Sequence, residues 1–457
     1  MKIVILNQPQ DPMAAGAEQR GSVAIVNWEL ARCLARRHEV IVYAPRARGQ
    51  PSVQRWGGIE IRRIRFVARR LHKAVQLLAG RLGWGPPYFT SRWYYREYFS
   101  RVARDLAACQ PDIVHLPQQM QFAPLFKRAV PGVKVVVHIH QDELAKLDRE
   151  LLRRDLAAVD AIATVSEFVT SGARARLPEM AARIHTVGNG VDVLRFRPQA
   201  RARKLHGEDS DARPLRLLYV GRIAPDKGVH LLMEAFDRLT LEGVSLELTL
   251  IGKSGLLPYD LLSRLLGGDH AALEAVREFY GRSFRSWIAK EILGHRRSYG
   301  RALRARLSPA AARRVRFRGT VPQPELIRAY RAADLLVLPS IWQESYGLPV
   351  AEAMACGVPV LASASGGVPE LIEEGVSGEL VPRLDTEALA RALRDLAADP
   401  ARLQEMGRAA RARAERMLTW IHSAARLERL YLGLLAAQPQ MRYPSLAAAC
   451  SGPVDLA

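Results

Sequence analysis

Cysteine is scarce in this sequence, which holds four in 457 residues, at Cys33, Cys109, Cys356 and Cys450. They lie far apart and no two form a CxxC pair, which argues against a disulfide framework and against a cysteine-based zinc site. Cys356 stands in an alanine-rich run, so we interpret it as a small buried residue rather than a nucleophile.

Long hydrophobic runs are also missing. No stretch approaches the ~18 uncharged apolar residues that a membrane-spanning helix requires. The opening residues, MKIVILNQPQ, contain too brief an apolar run for a secretory signal and no small-residue cleavage site. These absences predict a cytoplasmic location. The length predicts two domains of roughly 200 residues each.

Acidic residues are rare between positions 46 and 104, where fourteen Lys/Arg accompany only Glu60 and Glu97. This segment contributes to the net charge of +21 and includes the aromatic run GWGPPYFTSRWYYREYF at 83–99. A basic, aromatic surface suits anionic lipid headgroups, polyanionic glycans or nucleic acid, and a merely solvated face is the alternative. No recognised nucleic-acid motif is present, so we expect no specific nucleic-acid partner.

Short Val/Ile-rich runs alternate with helical patterns along the whole chain. Such near-continuous apolar strands separated by helices predict parallel sheets covered on both faces. The predicted strands are 2–7, 38–44, 112–117, 134–140, 160–166 and 183–190, and then 215–221, 246–252, 315–321, 334–340 and 358–363. We therefore predict an α/β fold of two doubly wound, Rossmann-like domains that face each other across a cleft, with ligands at the carboxyl ends of the strands.

The domain boundaries follow from where this pattern stops and restarts. We assign 1–196 to the first domain, the polar segment 197–214 to a linker, and 215–418 to the second domain, with an insertion at about 254–312. A last amphipathic helix, 419–437, is expected to pack back on the first domain, and 438–457 form a tail.

The segment GRIAPDKG (221–228) directly follows a predicted strand and precedes a helix. Its two cations, Arg222 and Lys227, are a candidate grip for a diphosphate, because arginine can clamp two oxygens in a plane while lysine adds a compact charge. Each charge-assisted hydrogen bond contributes roughly 1.5–3 kcal/mol. An ordinary loop with surface charges is the alternative for this motif taken alone.

A second motif, ESYGLPVAEAMACG (344–357), places two carboxylates around a predicted helix start. Pro349 fits the first turn of that helix, and Gly357 fits its end. The backbone N–H groups at the start are available to an anion; they belong to Ser345, Tyr346, Gly347 and Leu348. Glu344 and Glu352 would then accept hydrogen bonds from sugar hydroxyls, whereas helix capping is the alternative for a single glutamate.

Taken together, these motifs resemble those of the retaining glycosyltransferases of the GT-B fold, specifically glycosyltransferase family 4. Glu344 and Glu352 match the E-x7-E signature of that family, and GRIAPDKG matches its Arg/Lys phosphate motif. Further matches are TVSEF (164–168), GNGVD (188–192) and SGGVPELIEEGVSG (365–378). The resemblance covers roughly residues 1 to 430.

The resemblance implies roles for these residues. Glu344 would contact hydroxyls of the transferred sugar and Glu352 the ribose of the nucleotide. Arg222 and Lys227 would neutralise the departing diphosphate, so that no metal and no other cofactor is required. An Asp209-Ser210-Asp211 pattern is typical of metal-dependent transferases of another fold, but it stands in the linker and we interpret it as solvated charge.

The first domain supplies further candidates by the same resemblance. His140 ends a predicted strand where the family has a histidine near the transferred sugar. His138 points to the same side of that strand and is expected to be a neighbour or a satisfied core residue. The family also has a Gly-Gly before its first long helix. Here the counterpart is Gly21-Ser22, with Gly16 as a competing candidate, so one glycine is replaced.

The function implied is transfer of a sugar, with retention of anomeric configuration, from a nucleotide-sugar to an acceptor. We expect a UDP-sugar donor and a cell-envelope or lipid-linked glycan acceptor, which the basic segment 46–104 would bring to the inner face of the membrane. A nucleotide-sugar epimerase or a phosphorylase on the same fold is the alternative enzyme. A basic nucleic-acid-binding protein is the alternative outside enzymes.

Overall fold

A computed structural model describes residues 1–16, 21–66, 72, 75, 88–198, 213–256, 262–263, 266–280 and 298–437. Two parallel sheets dominate it, one in each half of the chain. The predicted α/β class with two doubly wound units is therefore confirmed. The predicted tail and the Asp209-Ser210-Asp211 pattern lie outside the described residues, as do most of the predicted linker and part of the predicted insertion.

The first sheet has eight strands in the order β3-β4-β2-β1-β5-β6-β7-β8. All neighbours are parallel except β3 and β4, which form an antiparallel hairpin. The strands are β1 (Lys2–Leu6), β2 (Glu39–Pro45), β3 (Val53–Trp56), β4 (Ile59–Ile64), β5 (Ile113–Pro117), β6 (Lys134–Ile139), β7 (Ala161–Thr164) and β8 (Ile184–Thr186).

Helices connect these strands and cover both faces of the first sheet. They are α1 (Ser22–Leu34), α2 (Arg96–Cys109), α3 (Ala123–Ala129), α4 (Glu143–Lys146), α5 (Arg149–Leu156) and α6 (Glu167–Arg176). Short 3-10 turns lie at Tyr88–Thr90, Met120–Phe122 and Pro178–Arg183. Helix α6 begins at an N-cap, because the Ser166 hydroxyl accepts from the Val169 amide.

The second sheet has six parallel strands in the order β11-β10-β9-β12-β13-β14. Its strands are β9 (Leu215–Val220), β10 (Leu246–Ile251), β11 (Val315–Gly319), β12 (Leu335–Leu338), β13 (Val360–Ser363) and β14 (Gly378–Val381). A 3-10 turn at Pro225–Lys227 precedes α7 (Val229–Leu241). The later helices are α8 (His270–Arg277), α9 (Ser298–Ala305), α10 (Pro309–Arg313), α11 (Gln323–Ala332), α12 (Leu348–Ala355), α13 (Val368–Leu371), α14 (Thr386–Ala398) and α15 (Pro400–Met417).

All eleven predicted strands are present, but β3, β4 and β14 were not predicted. In β4 buried and half-buried residues alternate, with Ile59 and Ile61 facing inward. The outward side is held by ion pairs, because Arg55 and Arg62 both contact Glu60, at 2.9 and 2.7 Å. Arg63, which is 4% exposed on the same side as Ile59 and Ile61, breaks the period of two in the sequence.

The interpretation of 83–99 as an aromatic surface was wrong for four residues. Tyr94, Tyr95, Tyr98 and Phe99 are at most 6% exposed and belong to the core, whereas Trp93 is 68% exposed. The reason is the helical periodicity of α2, which places Tyr98 and Phe99 on the face that also buries valine and leucine side chains. The aromatic run therefore mainly anchors α2 beneath the sheet.

The last helix, α16 (Trp420–Ala436), packs against α1 in the first half of the chain. Trp420, Ala424, Leu427 and Tyr431 are buried in one cluster with residues of α1, β1 and β2. This helix, which follows the second sheet in the sequence, therefore lies on the first half of the chain.

Two smaller expectations can be compared with the structure. Cys356 is 2% exposed, so its interpretation as a small buried residue is confirmed. In the part of the chain that the structure describes, no helix is both long and apolar enough to cross a membrane.

Candidate active site

The loop that follows β9 brings the two predicted phosphate-binding cations to one edge of the second sheet. Arg222 donates to both carboxylate oxygens of Asp226, at 3.2 and 2.5 Å. Asp226 is fully buried, and its backbone carbonyl accepts from the amides of Ile341 and Trp342. The same residue therefore orients the guanidinium and fixes the β9 loop against the loop after β12.

Lys227 points from this loop to Glu344. Its ammonium lies 2.7 Å from Oε1 of Glu344, and the Ser340 hydroxyl donates to the same oxygen at 2.7 Å. The Glu344 amide donates to the hydroxyl of Ser365 at 3.0 Å. The Lys227 nitrogen also lies 5.8 Å from the ring centroid of Trp342, which lines the same space. Glu344 is thus held in place from three sides.

Helix α12 begins beside this carboxylate, as the sequence predicted. Gly347 is its N-cap with φ +99, a left-handed conformation that suits glycine, and Pro349 stands in its first turn. Among the described residues, the backbone amides of the helix start make no hydrogen bond to groups outside the helix; these are the amides of Ser345, Tyr346, Gly347 and Leu348. They are free to bind an anion.

Opposite this helix start, three histidines form a column: His115 of β5, His138 of β6 and His140 just after β6. The ring centroids of His115 and His138 are 5.1 Å apart, and those of His138 and His140 are 4.4 Å apart. Burial lowers the pKa of His140 to about 3, so its ring is neutral near pH 7. Its Nε2 has no hydrogen-bond partner among the described residues.

His138 is a neighbour of His140, one of the two expected alternatives, and is not a satisfied core histidine. It is fully buried, and within the described structure neither ring nitrogen has a hydrogen-bond partner. Burial and the neighbouring histidines lower its pKa, which keeps the ring uncharged. His115, by contrast, shares a 2.7 Å hydrogen bond between Nδ1 and the Tyr431 hydroxyl of α16.

These elements enclose a cavity of about 610 Å³ between the two halves of the chain. Its walls follow the carboxyl ends of β5, β6, β9 and β12, where ligands of doubly wound sheets bind. Eight of the ten predicted site residues line it: His140, Arg222, Lys227, Glu344, Ser345, Tyr346, Gly347 and Leu348.

The two remaining predicted residues, Gly21 and Glu352, do not line this cavity. Gly21 is the N-cap of α1 with φ +98, and its neighbour Ser22 lines the cavity instead. Glu352 lies in the second turn of α12 and accepts from the Tyr330 hydroxyl at 2.7 Å. Burial raises the pKa of Glu352 to about 7. The competing glycine, Gly16, also has a positive φ of +99 and faces Trp56.

Two features of the site were not predicted: Asp226 and a group on the opposite wall centred on Glu143. Asp226 stands four residues after Arg222 within GRIAPDKG and was readable there. Glu143 follows His140 by three residues, is 6% exposed and lines the cavity. Burial raises the pKa of Glu143 to about 8.

Contacts between the halves keep this cavity closed on one side. The Glu370 carboxylate accepts from the amides of Glu167 and Phe168 at the start of α6, at 2.8 and 2.7 Å. The Tyr346 hydroxyl donates to the carbonyl of Asn189 at 2.8 Å. Within the described residues, no group of three or more His, Cys, Asp or Glu side chains is arranged to hold a metal ion.

Two family models match the chain. The model described as Glycosyltransferase Family 4 matches residues 23–195, and the model described as Glycosyl transferases group 1 matches residues 306–413. Together they cover more than half of the sequence, one in each half.

Known proteins are similar along much of the chain. A D-inositol 3-phosphate glycosyltransferase of Streptomyces bingchenggensis is 34% identical over 268 residues, which are 58% of this chain and 50% of that protein. Spore coat protein SA of Bacillus subtilis is 24% identical over 353 residues, 73% of this chain and 82% of its own length. The chain thus spans about half the length of the first of these relatives.

Solved structures share the fold at low identity. Sucrose-phosphate synthase from Thermosynechococcus elongatus has a TM-score of 0.64 at 22% identity, covering 96% of this chain and 100% of that one. Anabaena HepE in complex with UDP and glucose has a TM-score of 0.62 at 16% identity, covering 96% and 100%. The chain therefore belongs to the family 4 glycosyltransferases, with the GT-B fold.

Proposed function

We propose that the protein transfers a sugar from a nucleoside-diphosphate sugar to a hydroxyl of a glycan acceptor, with retention at the anomeric carbon. One observation carries the donor part: Arg222, Lys227 and the free amides of the α12 start converge on one cavity with the Glu344 carboxylate. Two cations and a helix start form a site for a diphosphate, and the carboxylate beside them suits sugar hydroxyls.

The diphosphate end supplies most of the catalysis in this proposal. Negative charge develops on the leaving phosphate as the glycosidic bond to it breaks, and fixed cations that meet it lower the barrier. Arg222 is oriented by the buried Asp226, so little reorganisation is needed when the phosphate arrives. These cations are proposed to act without a metal or another cofactor. Activity that persists at full rate in excess EDTA would agree with this, whereas activity restored only by added divalent metal would overturn it.

The sugar end lies between Glu344 and His140. Glu344 would accept from hydroxyls of the transferred sugar, and the unpartnered Nε2 of His140 would bond the same sugar from the other wall. Because its pKa is about 3, His140 acts as a neutral hydrogen-bonding group rather than as a cation. Glu352 is proposed to hold the ribose on the strength of the family motif alone, because it does not line the described cavity. Retention is supported by family membership, and NMR of the product anomer tests it.

UDP is the first nucleotide to test, because the HepE complex contains it. We would titrate UDP, GDP and ADP calorimetrically into the wild type, Lys227→Met and Arg222→Gln, with tripolyphosphate as a charge-matched control. Loss of one charge-assisted contact should weaken the preferred nucleotide by roughly 10- to 100-fold. Lys134→Met is the control and should bind normally. Lys134 begins β6 and so lies at the opposite end of that strand from His140. Equal binding of tripolyphosphate and all nucleotides would contradict a donor site.

Product analysis separates transfer from the alternative reactions on this fold. Transfer releases the nucleoside diphosphate and forms a new glycosidic bond to the acceptor. An epimerase would return an isomeric nucleotide-sugar or free sugar, and a phosphorylase would consume or release phosphate. The relative from Streptomyces acts, by its name, on D-inositol 3-phosphate. For this chain we propose a cell-envelope or lipid-linked glycan.

A peripheral contact with the inner face of the membrane is part of this proposal. Trp93 is exposed and lies under Arg96, whose guanidinium carbon is 4.9 Å from the ring centroid. Arg92 beside it is exposed too. An interfacial tryptophan flanked by arginines suits anionic headgroups. Flotation with phosphatidylglycerol vesicles at physiological salt should capture the wild type and not a Trp93→Ser, Arg96→Gln double variant. Failure of the wild type to float would overturn the membrane contact.

A further inference from the structure

The wall of the cavity opposite the cations is built from neutral polar side chains. Those contributed by the first half of the chain include Gln10, Gln118, Gln119, Gln121, Gln141 and Asn189. Each side-chain amide offers both a donor and an acceptor, the combination that sugar hydroxyls require. Of the residues described on this side, none that lines the cavity is lysine or arginine.

Three of the glutamines in this region form a chain that ends on a carboxyl group. Gln10 donates to Gln8 at 2.9 Å, Gln8 donates to Gln118 at 2.5 Å, and Gln118 donates to Oε2 of Glu143 at 2.8 Å. A directed chain of this kind fixes which end of each amide faces inward. The three segments that supply it follow β1, β5 and β6, so the fold itself positions the wall.

Glu143 gives this wall hydrogen-bonding capacity without positive charge. It is 6% exposed, and burial raises the pKa of its carboxyl to about 8, so the group is mostly the neutral acid near pH 7. The neutral acid can donate to a hydroxyl, and the ionised form can accept from one. Neither form supplies positive charge, the ionised fraction repels a phosphate, and the cation that acts on Glu143, Lys146, is already paired. Lys146, in the same helix, pairs with Asp142 at 2.6 Å.

We propose that the wall ending at Glu143 is the acceptor subsite and that it takes an uncharged, hydroxyl-rich sugar group while excluding phosphorylated sugars. This rests on the proposed transfer function and deepens it. Arg222 and Lys227 then serve the donor diphosphate alone, so charge divides the cavity into a donor half and an acceptor half. A phosphate elsewhere on a long acceptor remains compatible, provided that the group inside the cavity is neutral.

The test uses the full chain with saturating UDP and two sets of probes. One set contains the methyl glycosides of glucose, galactose and mannose, and the other contains the 6-phosphates of the same sugars. Saturation-transfer NMR and calorimetry should give a preference of about ten-fold or more for at least one neutral glycoside over its phosphate. UDP binding is measured in the same samples and reports on the donor site independently.

Three substitutions sharpen the result. Glu143→Lys places a cation on the wall and should reverse the preference toward sugar phosphates. Glu150→Lys makes the same charge change at an exposed position in α5 and should leave the preference intact. Because a buried lysine can disturb folding, Glu143→Met provides a further variant: it keeps a similar volume but has no strong donor or acceptor, and it should weaken the neutral glycoside by roughly 3- to 10-fold with unchanged UDP affinity.

The outcomes separate the two proposals. Preference of the wild type for a sugar phosphate, or no weakening in Glu143→Met, overturns the neutral acceptor subsite while the donor site stands. Absence of neutral-sugar binding in the presence of bound UDP overturns it as well. Failure of any nucleotide to bind the wild type overturns the proposed function itself.

Discussion

The ammonium of Lys227 donates to the Glu344 carboxylate at 2.7 Å, although the two residues are 117 positions apart in the sequence. Both side chains are less than one-fifth exposed. Without a ligand, each residue therefore neutralises the other. A bound diphosphate competes with Glu344 for the lysine, and a bound sugar competes with Lys227 for the carboxylate.

The first prediction concerns this competition. Glu344→Gln removes the carboxylate that occupies Lys227 and repels phosphates, so tripolyphosphate and UDP should bind about 2- to 5-fold more tightly. Sugar transfer should fall by roughly 10-fold or more, because the amide is a weaker acceptor for sugar hydroxyls. Calorimetry and turnover on the same preparations measure the two effects. A parallel loss of UDP binding and transfer would contradict the competition.

The second prediction concerns the close approach of two loops at Gly228. This residue caps α7 with φ +66, and a Cβ added there would overlap the carbonyl oxygen of Pro339. Gly228→Ala should therefore displace the phosphate-binding loop and abolish nucleotide binding or cost more than about 3 kcal/mol of stability. Gly243→Ala is the control, since Gly243 has φ +87 with open space around it. It should cost about 1–2 kcal/mol, and UDP affinity should not change.

The third prediction is a pH dependence carried by Glu352. Its pKa is about 7 in the folded protein against 4.5 as the ordinary value, so between these values the folded state binds more protons than the unfolded state. The free energy of unfolding must then fall as pH rises from about 4.5 through about 7. Glu352→Gln lacks this dependence. Chemical denaturation at several pH values should show the stability of the wild type relative to Glu352→Gln falling by on the order of 2–3 kcal/mol across that range.

Glu405→Gln is the control for this experiment, because Glu405 is an exposed carboxyl on the outer side of α15. The free energy of unfolding of Glu405→Gln relative to that of the wild type should stay nearly constant with pH. A difference between wild type and Glu352→Gln that does not change with pH would contradict the buried, neutral carboxyl.

The fourth prediction tests the docking of α16. Leu427 is fully buried against α1, so Leu427→Ala should lower the free energy of unfolding by about 2–5 kcal/mol. Leu432 lies in the same helix but is 51% exposed. Leu432→Ala should change stability by about 0.5 kcal/mol or less. Equal effects of the two substitutions in urea unfolding would show that the helix does not pack as described.

Much of the fold was readable because parallel strands are buried on both faces and therefore appear as unbroken apolar runs. The hairpin β3–β4 was not readable in this way, since Glu60 and its arginines replace apolar residues on its outer side. The aromatic residues of α2 follow a helical period, which places Tyr98 and Phe99 on the buried face of the helix. Composition alone, which suggested a surface, does not reveal that period.

Whether a site residue could be predicted likewise depended on how local its chemistry is in the sequence. Arg222, Lys227 and Glu344 stand in short motifs whose chemistry is local, so the sequence sufficed to select them. Glu143 could not be found, because its role depends on Gln118 and on segments more than a hundred residues apart. Only the folded chain brings those groups to one wall.

The packing of α16 on α1 has a consequence for the order in which the protein is made. The first sheet ends at Thr186, but the side chains that cover α1, among them Trp420 and Tyr431, are added only after the second sheet has been synthesised. At ribosomal rates of about 5–20 residues per second, the intervening roughly 230 residues take about 10–50 s. Throughout that time the apolar face of α1 around Leu30 is uncovered and His115 lacks the Tyr431 hydroxyl. The first half of the chain therefore cannot complete its fold until the residues of α16 have been translated.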